Sequence, residues 1–512
     1  MKIPIPQTTP DAVLNIALDT VQQDRQALVF CNTRRGAESQ AEQIALKLPV
    51  LSELAVLSEK VLKGVGSATR QCKRLAKCVE RGIAFHHSGL TSSQRRLIEE
   101  GFRDSRLHVI CSTPSLAMGV DLPAFRVVVR DLKRYSGGWG MSPIPVLEYH
   151  QQIGRAGRPG KETEGQAITI AVSDGQKKEI RERYVEGEPE EILSKLAVEP
   201  VFRTYVLTLI ATEYCLSESA LKDFFDRTFY AHSYGDSEKI HWLIGKTLEQ
   251  LEEWEFIRVE GGKKDDGFVS ASDLGEEGSL VATPVGKRVS ELYLDPYTAQ
   301  LIIEALKRAT GKKRNVFSFL QMVSSTLEMR PLLRVRVKEL DWVEELVGLN
   351  EEVFITSVPM DHSSEYEDFL NSVKTAFFFD EWMNEKSEEE LLNALNVRPG
   401  EIHAKLDAAD WLVYAAEEMC VLLKFHDILK ELKVLRTRLR HGAKEELLGL
   451  LRLRNIGRVR ARKLFRSGIK DVAGVKSVSL SRLEGLLGRK VAADVKRQAG
   501  QEEVGPDLSR YR

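Results

Sequence analysis

The sequence predicts an α/β domain built on a parallel sheet, followed by a long region made almost entirely of helices. Two observations support this prediction. Short apolar runs alternate with helical segments over the first 200 residues, and beyond about residue 200 helical periodicity takes over. Strands that alternate with helices form parallel sheets with helices on both faces.

Four apolar runs are the predicted strands, and they lie near residues 27–31, 107–111, 125–129 and 166–171. The first run ends in a polar stretch from Asn32 to Arg35, and a second polar segment follows residue 111. Ligands of parallel sheets bind beyond the carboxyl ends of the strands. Both polar segments therefore lie where a ligand is expected.

Composition places the chain among ordinary globular proteins. Its 512 residues suffice for three or four domains, 43% of them are hydrophobic and 29% charged, and the net charge is −1. Six cysteines are scattered without a C-x-x-C pair, which favours a reducing cytoplasm and argues against a zinc site. No signal peptide or membrane-spanning run is evident, so we expect a cytoplasmic protein without a membrane partner.

Two segments carry residues suited to phosphate. Residues 112–124 offer hydroxyls and backbone amides, then Gly119 and Asp121, which suit a nucleotide or an attacking water. Residues 85–96 combine small polar residues with the start of a helix, and helix N-termini hold phosphates.

A third segment, residues 151–160, carries Arg155 and Arg158 three positions apart among small residues. Arginine forks bind phosphate oxygens in pairs, and glycines let the backbone come close to a ligand. This layout suits stabilisation of charge on a transferring phosphoryl group. The alternative is a surface turn with two solvated arginines.

In their order and spacing, residues 27–38, 85–103, 112–124 and 151–160 resemble motifs IV, IVa, V and VI of superfamily 2 helicases. The resemblance is strongest to the Ski-two-like group and, within it, to archaeal DNA-repair helicases of the Hel308 type. It covers nearly the whole chain. It implies a second RecA-like motor domain (1–197), a winged-helix domain (198–295), an all-α ratchet bundle (296–440) and a helix-hairpin-helix DNA-binding tail (441–512).

The resemblance also implies roles for individual residues. Five would face the nucleotide: Gly119, Asp121, Gln151, Arg155 and Arg158. Asp121 stands where the family often has asparagine. The residues of motifs IV, IVa and V that would contact DNA are Asn32, Arg34, His87, Ser88 and Thr113.

Between motifs V and VI, two β-capable arms flank a glycine-rich tip that carries Tyr135 and Trp139. The family places its strand-separating β-hairpin here. An exposed aromatic side chain can stack on the last base pair and hold it open. The alternative is a hairpin that only packs on its neighbour.

The helix around residues 404–418 carries Trp411. In the family the matching helix lies along single-stranded DNA and acts as a ratchet, where stacking contributes roughly 1–3 kcal/mol per base. Family members often have an arginine one heptad earlier, whereas this chain has Ala404, with His403 and Lys405 beside it. The alternative is that Trp411 belongs to the core.

The C-terminal region is basic, with 22 Lys and Arg against 9 Asp and Glu from Lys430 to Arg512. Such an excess is typical of nucleic-acid binding, the alternative being a solvated helical surface. Residues 450–464 resemble a helix-hairpin-helix element. Its turn at Gly457 would free backbone amides for a phosphate, and the charge would come from Arg458, Arg460, Arg462 and Lys463.

The sequence lacks the phosphate loop G-x-x-x-x-G-K-[ST] and the Asp-Glu pair of a first motor domain. Gly245-Lys246-Thr247 has Ile240 where the first glycine should stand, and only some 26 residues precede the motif IV strand. We therefore expect half a site for ATP and Mg²⁺, and neither ATP hydrolysis nor unwinding without a first RecA-like domain.

The first hypothesis is accordingly the C-terminal portion of an ATP-dependent 3′-to-5′ DNA helicase that unwinds forked or branched DNA in replication-coupled repair. Its expected partners are single-stranded and forked DNA. The alternatives are a non-catalytic DNA-binding module and a fragment of a related RNA helicase.

Overall fold

The computed structural model describes residues 4–63, 68–135, 140–157, 164–235, 237–260, 278–360 and 363–500. The chain forms two compact units. The first contains residues 1–192 together with 387–404, and the second contains residues 193–386 and 405–512. Residues 387–404 thus pack with the α/β unit, although the sequence places them within the region predicted as the ratchet bundle.

The first unit is built on a five-stranded, fully parallel sheet of strand order β2-β3-β1-β4-β7. Its strands are β1 Ala27–Phe30, β2 Ile83–His86, β3 Val109–Ser112, β4 Arg126–Val129 and β7 Gln166–Thr169. The first four are buried along their whole length, because helices cover both faces of the sheet. The predicted parallel sheet is confirmed.

The helices of this unit are α1 Ala12–Gln22, α2 Arg34–Ala45, α3 Ala55–Lys63, α4 Arg70–Val79, α5 Ser92–Arg103, α6 Val146–Ile153, α7 Asp174–Ile180 and α17 Glu388–Leu395. Side-chain caps begin several of them, and two of these caps lie near the predicted site. Thr33 accepts from the Gly36 amide at the start of α2, and Thr91 forms a capping box with Gln94 at the start of α5. Both caps lie in the segments identified as motifs IV and IVa.

Two short antiparallel strands, β5 Lys133–Tyr135 and β6 Met141–Pro143, form the predicted hairpin between motifs V and VI. Its tip, residues 136–139 with Trp139, and the side chain of Tyr135 lie outside the described residues. Strand β2 is absent from the sequence prediction, which treats Phe85 and His86 only as the approach to a helix. The apolar run Ile83-Ala84-Phe85 after Gly82 is the signal for it.

Within its described residues, the second unit consists of helices and one two-stranded antiparallel ribbon. It begins with α8 Glu199–Ala211, α9 Glu218–Phe225, α10 Phe229–Tyr234 and α11 Ser237–Glu253. The ribbon, β8 Ile257–Glu260 and β9 Ser279–Ala282, precedes α12 Pro284–Glu291. This order of short helices and a ribbon lies where the sequence predicts a winged-helix domain, with residues 261–277 outside the described part.

The remaining helices are α13 Pro296–Ala309, α14 Val316–Ser324, α15 Leu340–Asn350, α16 Ser364–Met383, α18 Pro399–Leu422, α19 His426–His441, α20 Leu448–Leu451, α21 Arg458–Arg466, α22 Val472–Ser477, α23 Leu480–Leu487 and α24 Arg489–Gly500. Helices α20–α24 share a core of small and branched apolar side chains, among them Leu450, Ala461 and Val495. No described helix combines the length and apolar character needed to cross a membrane.

Candidate nucleotide edge and nucleic-acid surfaces

Motifs V and VI meet at the amino edge of the sheet, where Ala124, just before β4, forms a parallel bridge with Ala156. The Arg155 guanidinium donates through Nη2 to the Ala117 carbonyl at 2.7 Å, and its Nη1 lies 3.6 Å from Asp121 Oδ1. Two backbone bonds join the same segments, from the Ala124 amide to the Arg155 carbonyl and from the Gly157 amide to the Ala124 carbonyl. The fold therefore brings Arg155 and Asp121 together, as an edge that binds nucleotide requires.

This edge leaves room for an anionic ligand. Gly119 has φ +73°, which favours glycine, and no atom lies within 4 Å of where a Cβ would stand. The Asp121 side chain is 93% exposed, so its long contact with Arg155 is worth little in water. The hydrogen bond to the Ala117 carbonyl is therefore the main contact that holds Arg155 here. The second predicted finger, Arg158, lies outside the described residues.

Helix α6 carries buried amide groups without partners. Oε1 of Gln151 has none, and neither side-chain polar atom of the fully buried Gln152 has one. Leaving a buried polar group unpaired costs roughly 1–3 kcal/mol, so such groups call for an explanation. A ligand at this edge would supply a partner for Gln151. The sequence prediction includes Gln151 but not Gln152. The two adjacent glutamines were the only sequence feature that could have pointed to the second one.

These features fit a polyphosphate nucleotide: a partly exposed guanidinium, an open glycine and an unpaired amide oxygen. They fit Mg²⁺ less well. Within the described ranges, no group of three or more His, Cys, Asp or Glu side chains is placed to hold a metal ion.

Asn32 of motif IV faces the hairpin. Its backbone amide donates to Asp131 Oδ2 at 3.0 Å, and its Nδ2 donates to the carbonyls of Asp131 and Lys133 at 3.0 and 2.8 Å. Arg34, the other motif IV residue predicted to contact DNA, forms an ion pair with Glu401. Both side chains are engaged inside the first unit.

His87 of motif IVa is fully buried. Its Nε2 donates to Glu38 Oε1 at 3.1 Å, and its Nδ1 accepts from the Gly89 amide at 3.1 Å. Because Nδ1 is an acceptor, the ring is neutral. Burial lowers the pKa of His87, against the opposing effect of Glu38.

Several hydrogen-bond donors and cations surround the buried Glu38 carboxylate and stabilise its charge. Arg74 Nη1 lies at 2.7 Å, Gln71 Nε2 at 3.1 Å and Arg398 Nε at 3.6 Å. Burial alone would raise the pKa of Glu38, but the bond from His87 and the nearby arginines outweigh it and leave the pKa below its usual value. The cluster joins motifs IV and IVa to the start of α18.

The backbone at the start of α18 also contacts the motif IVa turn. The Gly400 amide donates to the Gly89 carbonyl at 3.1 Å, and a Cβ at Gly400 would stand 2.3 Å from the Ser88 carbonyl oxygen. Ser88 itself is exposed, so its hydroxyl is placed for a solvent-side contact. Thr113 shares a hydroxyl bond of 2.9 Å with Ser115.

Helix α18 carries the three residues predicted to line single-stranded DNA. Trp411 is half-buried, and its Nε1 donates to the Leu292 carbonyl at 3.1 Å. Lys405 Nζ donates to the Pro331 carbonyl at 2.7 Å, and His403 Nε2 lies 3.5 Å from Glu388 Oε1. Trp411 is thus neither fully buried in the core nor fully exposed, and its stacking role stays a prediction.

Two of the predicted tail arginines, Arg458 and Arg462, form contacts within the protein. Arg458 lies over the Trp382 ring at 4.2 Å and donates to the Lys386 carbonyl, and Arg462 binds Glu385 and Glu446. These two side chains hold α21 on the end of α16.

The other tail cations remain at the surface. Arg460 and Lys463 are exposed; Arg460 donates to the Asn455 carbonyl and Lys463 to the Leu486 carbonyl. Gly457 is the exposed residue that precedes α21. The turn at Gly488 between α23 and α24, followed by exposed Arg489 and Lys490, repeats this arrangement. Sequence reasoning missed it, although both turns share a Gly-Arg start and an alanine four residues after the glycine.

Comparison with known proteins adds an independent line of evidence. The family model described as helicase conserved C-terminal domain matches residues 9–160, and the model described as archaeal helicase, domain 4 matches residues 317–442. The first match contains motifs IV to VI, and the second contains most of α14–α19.

Curated relatives match almost the whole chain. The ATP-dependent DNA helicase Hel308 of Methanocella arvoryzae is 38% identical over 506 residues, which are 96% of this chain and 65% of that protein. The Hel308 proteins of Methanococcus vannielii and Pyrococcus horikoshii are 35% and 34% identical, over 96% and 95% of this chain and 68% and 66% of theirs. The chain spans about two thirds of the length of these relatives. The resemblance seen in the motifs is confirmed: the chain belongs to the archaeal Hel308 family of superfamily 2 helicases.

Proposed function

We propose that this chain supplies the arginine side of the ATP site and the DNA-handling part of an ATP-dependent DNA helicase. The observation that carries the proposal is the meeting of motifs V and VI, where Arg155 lies against Ala117 and Asp121 beside the open Gly119. In a helicase motor this edge faces the nucleotide bound by the other motor domain.

ATP bound at this edge would supply the phosphoryl group whose transfer drives movement. Arg155 would leave Ala117 and stabilise the charge that develops on the phosphoryl oxygens, with Arg158 as a second donor. Gln151 would orient the nucleotide or the attacking water. The phosphate loop and the Mg²⁺ carboxylates would come from a first RecA-like domain, since the sequence contains neither motif.

The DNA side of the proposal rests on the hairpin, on α18 and on the exposed tail cations. We propose that the hairpin opens the last base pair of forked or branched DNA, that Trp411 stacks on the single strand, and that Arg460 and Lys463 contact phosphates. We also propose movement 3′ to 5′ along the strand in replication-coupled repair, which the resemblance to the family supports.

Reconstitution tests the ATP side. We expect the purified chain to hydrolyse no ATP with or without DNA, because half of the site is missing. Adding the separately purified first RecA-like domain of a Hel308 relative should restore DNA-stimulated hydrolysis. In that mixture Arg155→Ala should preserve nucleotide binding and reduce turnover by about 10³-fold or more.

The controls discriminate between the hypotheses. Hydrolysis by the chain alone would contradict the half-site, and full turnover by Arg155→Ala would remove this residue from the finger role. A chain that binds forked DNA but never gains hydrolysis would be a non-catalytic binding module. Tighter binding to an RNA fork than to the matched DNA fork would identify an RNA helicase fragment.

A further inference from the structure

The hairpin formed by β5 and β6 is held on the α/β domain at three points. Asn32, after β1, donates to the Lys133 carbonyl at 2.8 Å. Tyr184, from the segment after α7, donates to the Ile144 carbonyl at 2.9 Å. Arg134, in the middle of β5, donates through Nη1 to Glu148 Oε2 of α6 at 2.7 Å. The first two contacts hold the base of the hairpin, and the third lies further along the arm.

Glu148 is an unusual partner for a surface arm. Its side chain is only 8% exposed, and its second oxygen, Oε1, is buried without a hydrogen-bond partner. A buried carboxylate with one oxygen unpaired is costly, so this pair is a poor device for stability. The Arg134 side chain is 44% exposed. Solvent therefore screens its attraction to the Glu148 carboxylate. What the pair does provide is a defined position for the arm relative to the helix.

The helix reached by this contact is the one that carries motif VI. Residues three and four apart lie on the same face of a helix, so Glu148 shares a face of α6 with Gln151 and Gln152. Arg155 follows one further turn along the chain. The start of α6 is itself held, because the Leu147 and Val146 amides donate to the Glu190 carboxylate at 3.0 and 2.7 Å. These bonds keep the pKa of Glu190 below its usual value.

We propose that the Arg134–Glu148 ion pair fixes the hairpin against α6, so that the hairpin and the helix carrying the nucleotide-facing glutamine move as one body. Arg134 and Glu148 are then positioning residues for strand separation. This inference rests on the proposed function of the hairpin. It predicts that loss of the pair leaves DNA binding intact but lets the hairpin turn away from the base pair that it opens.

The test uses the full chain and forked DNA with 2-aminopurine in the base pair next to the junction. Fluorescence reports opening of that pair, anisotropy reports affinity, and hydrogen exchange reports the mobility of residues 133–135 and 141–143. The variants are Glu148→Gln, Arg134→Gln and the double variant. The matched control is Glu186→Gln, which removes the same charge from an exposed ion pair with Arg181 in the same unit.

We expect each single variant to speed exchange in both arms by about two- to five-fold and to reduce the junction signal by a similar factor, with affinity unchanged. The double variant should lose no more than either single variant, because the two side chains act through each other. The control should match the original chain in all three measurements.

Unchanged exchange and an unchanged junction signal in Glu148→Gln would overturn the proposal, and so would additive losses in the double variant. If Glu148→Gln fails to fold, Arg134→Gln tests the proposal with the same measurements, because the Arg134 side chain is half-exposed and its loss should not prevent folding. If the original chain binds forked DNA without opening the junction pair, the strand-separating function fails. The exchange data still decide whether the pair positions the arm.

Discussion

At the scale of single residues, the partners of a side chain determine what it can do. His87 is neutral because its Nδ1 accepts a hydrogen bond from the Gly89 amide while its Nε2 donates to Glu38. A proton on Nδ1 would break the first bond and place a second cation beside Arg398. His87 is therefore a structural residue of motif IVa, and a contact between this turn and DNA would go through Ser88 or the backbone.

The protonation of His87 gives the chain a predictable pH dependence. Its pKa lies below the ordinary 6.5, so as pH falls below that value the unfolded chain takes up a proton before the folded one does. The stability contributed by neutral His87 is thus present above pH 6.5 and is lost as pH falls toward its folded pKa. The lowered pKa of Glu38 adds a further loss below about pH 4.5.

Thermal unfolding between pH 7.5 and 5 measures this effect. The melting temperature should fall with pH, and His87→Gln should flatten the fall even if it lowers the melting temperature overall. His232→Gln, which removes an exposed histidine of α10, is the matched control and should leave the slope unchanged. A slope in His87→Gln equal to that of the original chain would contradict the assignment.

At the scale of elements, α21 shows that a basic helix can serve two purposes at once. Arg458 and Arg462 point to the end of α16, where they meet Trp382 and Glu385. Arg460, between them, points to solvent. A helix presents successive residues on different faces, so alternating arginines cannot all contact the same strand of DNA.

Salt titration of DNA binding separates the two groups. Arg460→Gln should reduce the slope of log affinity against log salt by about one, the value expected for one lost phosphate contact. Arg462→Gln should leave the slope nearly unchanged and instead lower the melting temperature, because it leaves Glu385 without its main partner. A loss of slope in Arg462→Gln alone would reverse these assignments.

At the scale of the whole molecule, the boundaries of the compact units do not follow the boundaries of the predicted domains. Residues 387–404 pack with the α/β unit, and α18 begins in that unit and continues in the other. The contacts that hold this segment are the Glu38 cluster, the ion pair of Arg34 with Glu401 and the close approach of Gly400 to the motif IVa turn.

Substitution of Gly400 tests that attachment. In Gly400→Ala the new methyl group would stand 2.3 and 2.4 Å from the carbonyl oxygens of Ser88 and Leu90, so backbone must move. We expect the free energy of unfolding to fall by about 1–3 kcal/mol, as overpacking typically costs, measured by denaturant titration. Gly348→Ala in α15 is the matched control. No atom lies within 4 Å of its new methyl group, so it should be neutral or stabilising.

Much of the α/β domain was predictable from the sequence. Apolar runs mark β1, β3, β4 and β7 along the chain, and of these β1, β3 and β4 are buried along their whole length, whereas β7 is only partly buried. The motifs also predict that Gly119, Asp121 and Arg155 face one nucleotide, because phosphate chemistry uses glycine and arginine at short, fixed spacings. The structure places Arg155 3.6 Å from Asp121, and their role toward a nucleotide stays a prediction.

The partners of the polar side chains were decided only by the tertiary structure. Arg34 pairs with a residue 367 positions away, His87 with one 49 away and Arg462 with one 77 away. A local pattern shows that a cation is present but not which side of its element another element will cover. By itself, the sequence therefore determined the sheet, the motifs and the family. Packing decided which charges bind within the protein and which remain at its surface, because that depends on contacts between distant parts of the chain.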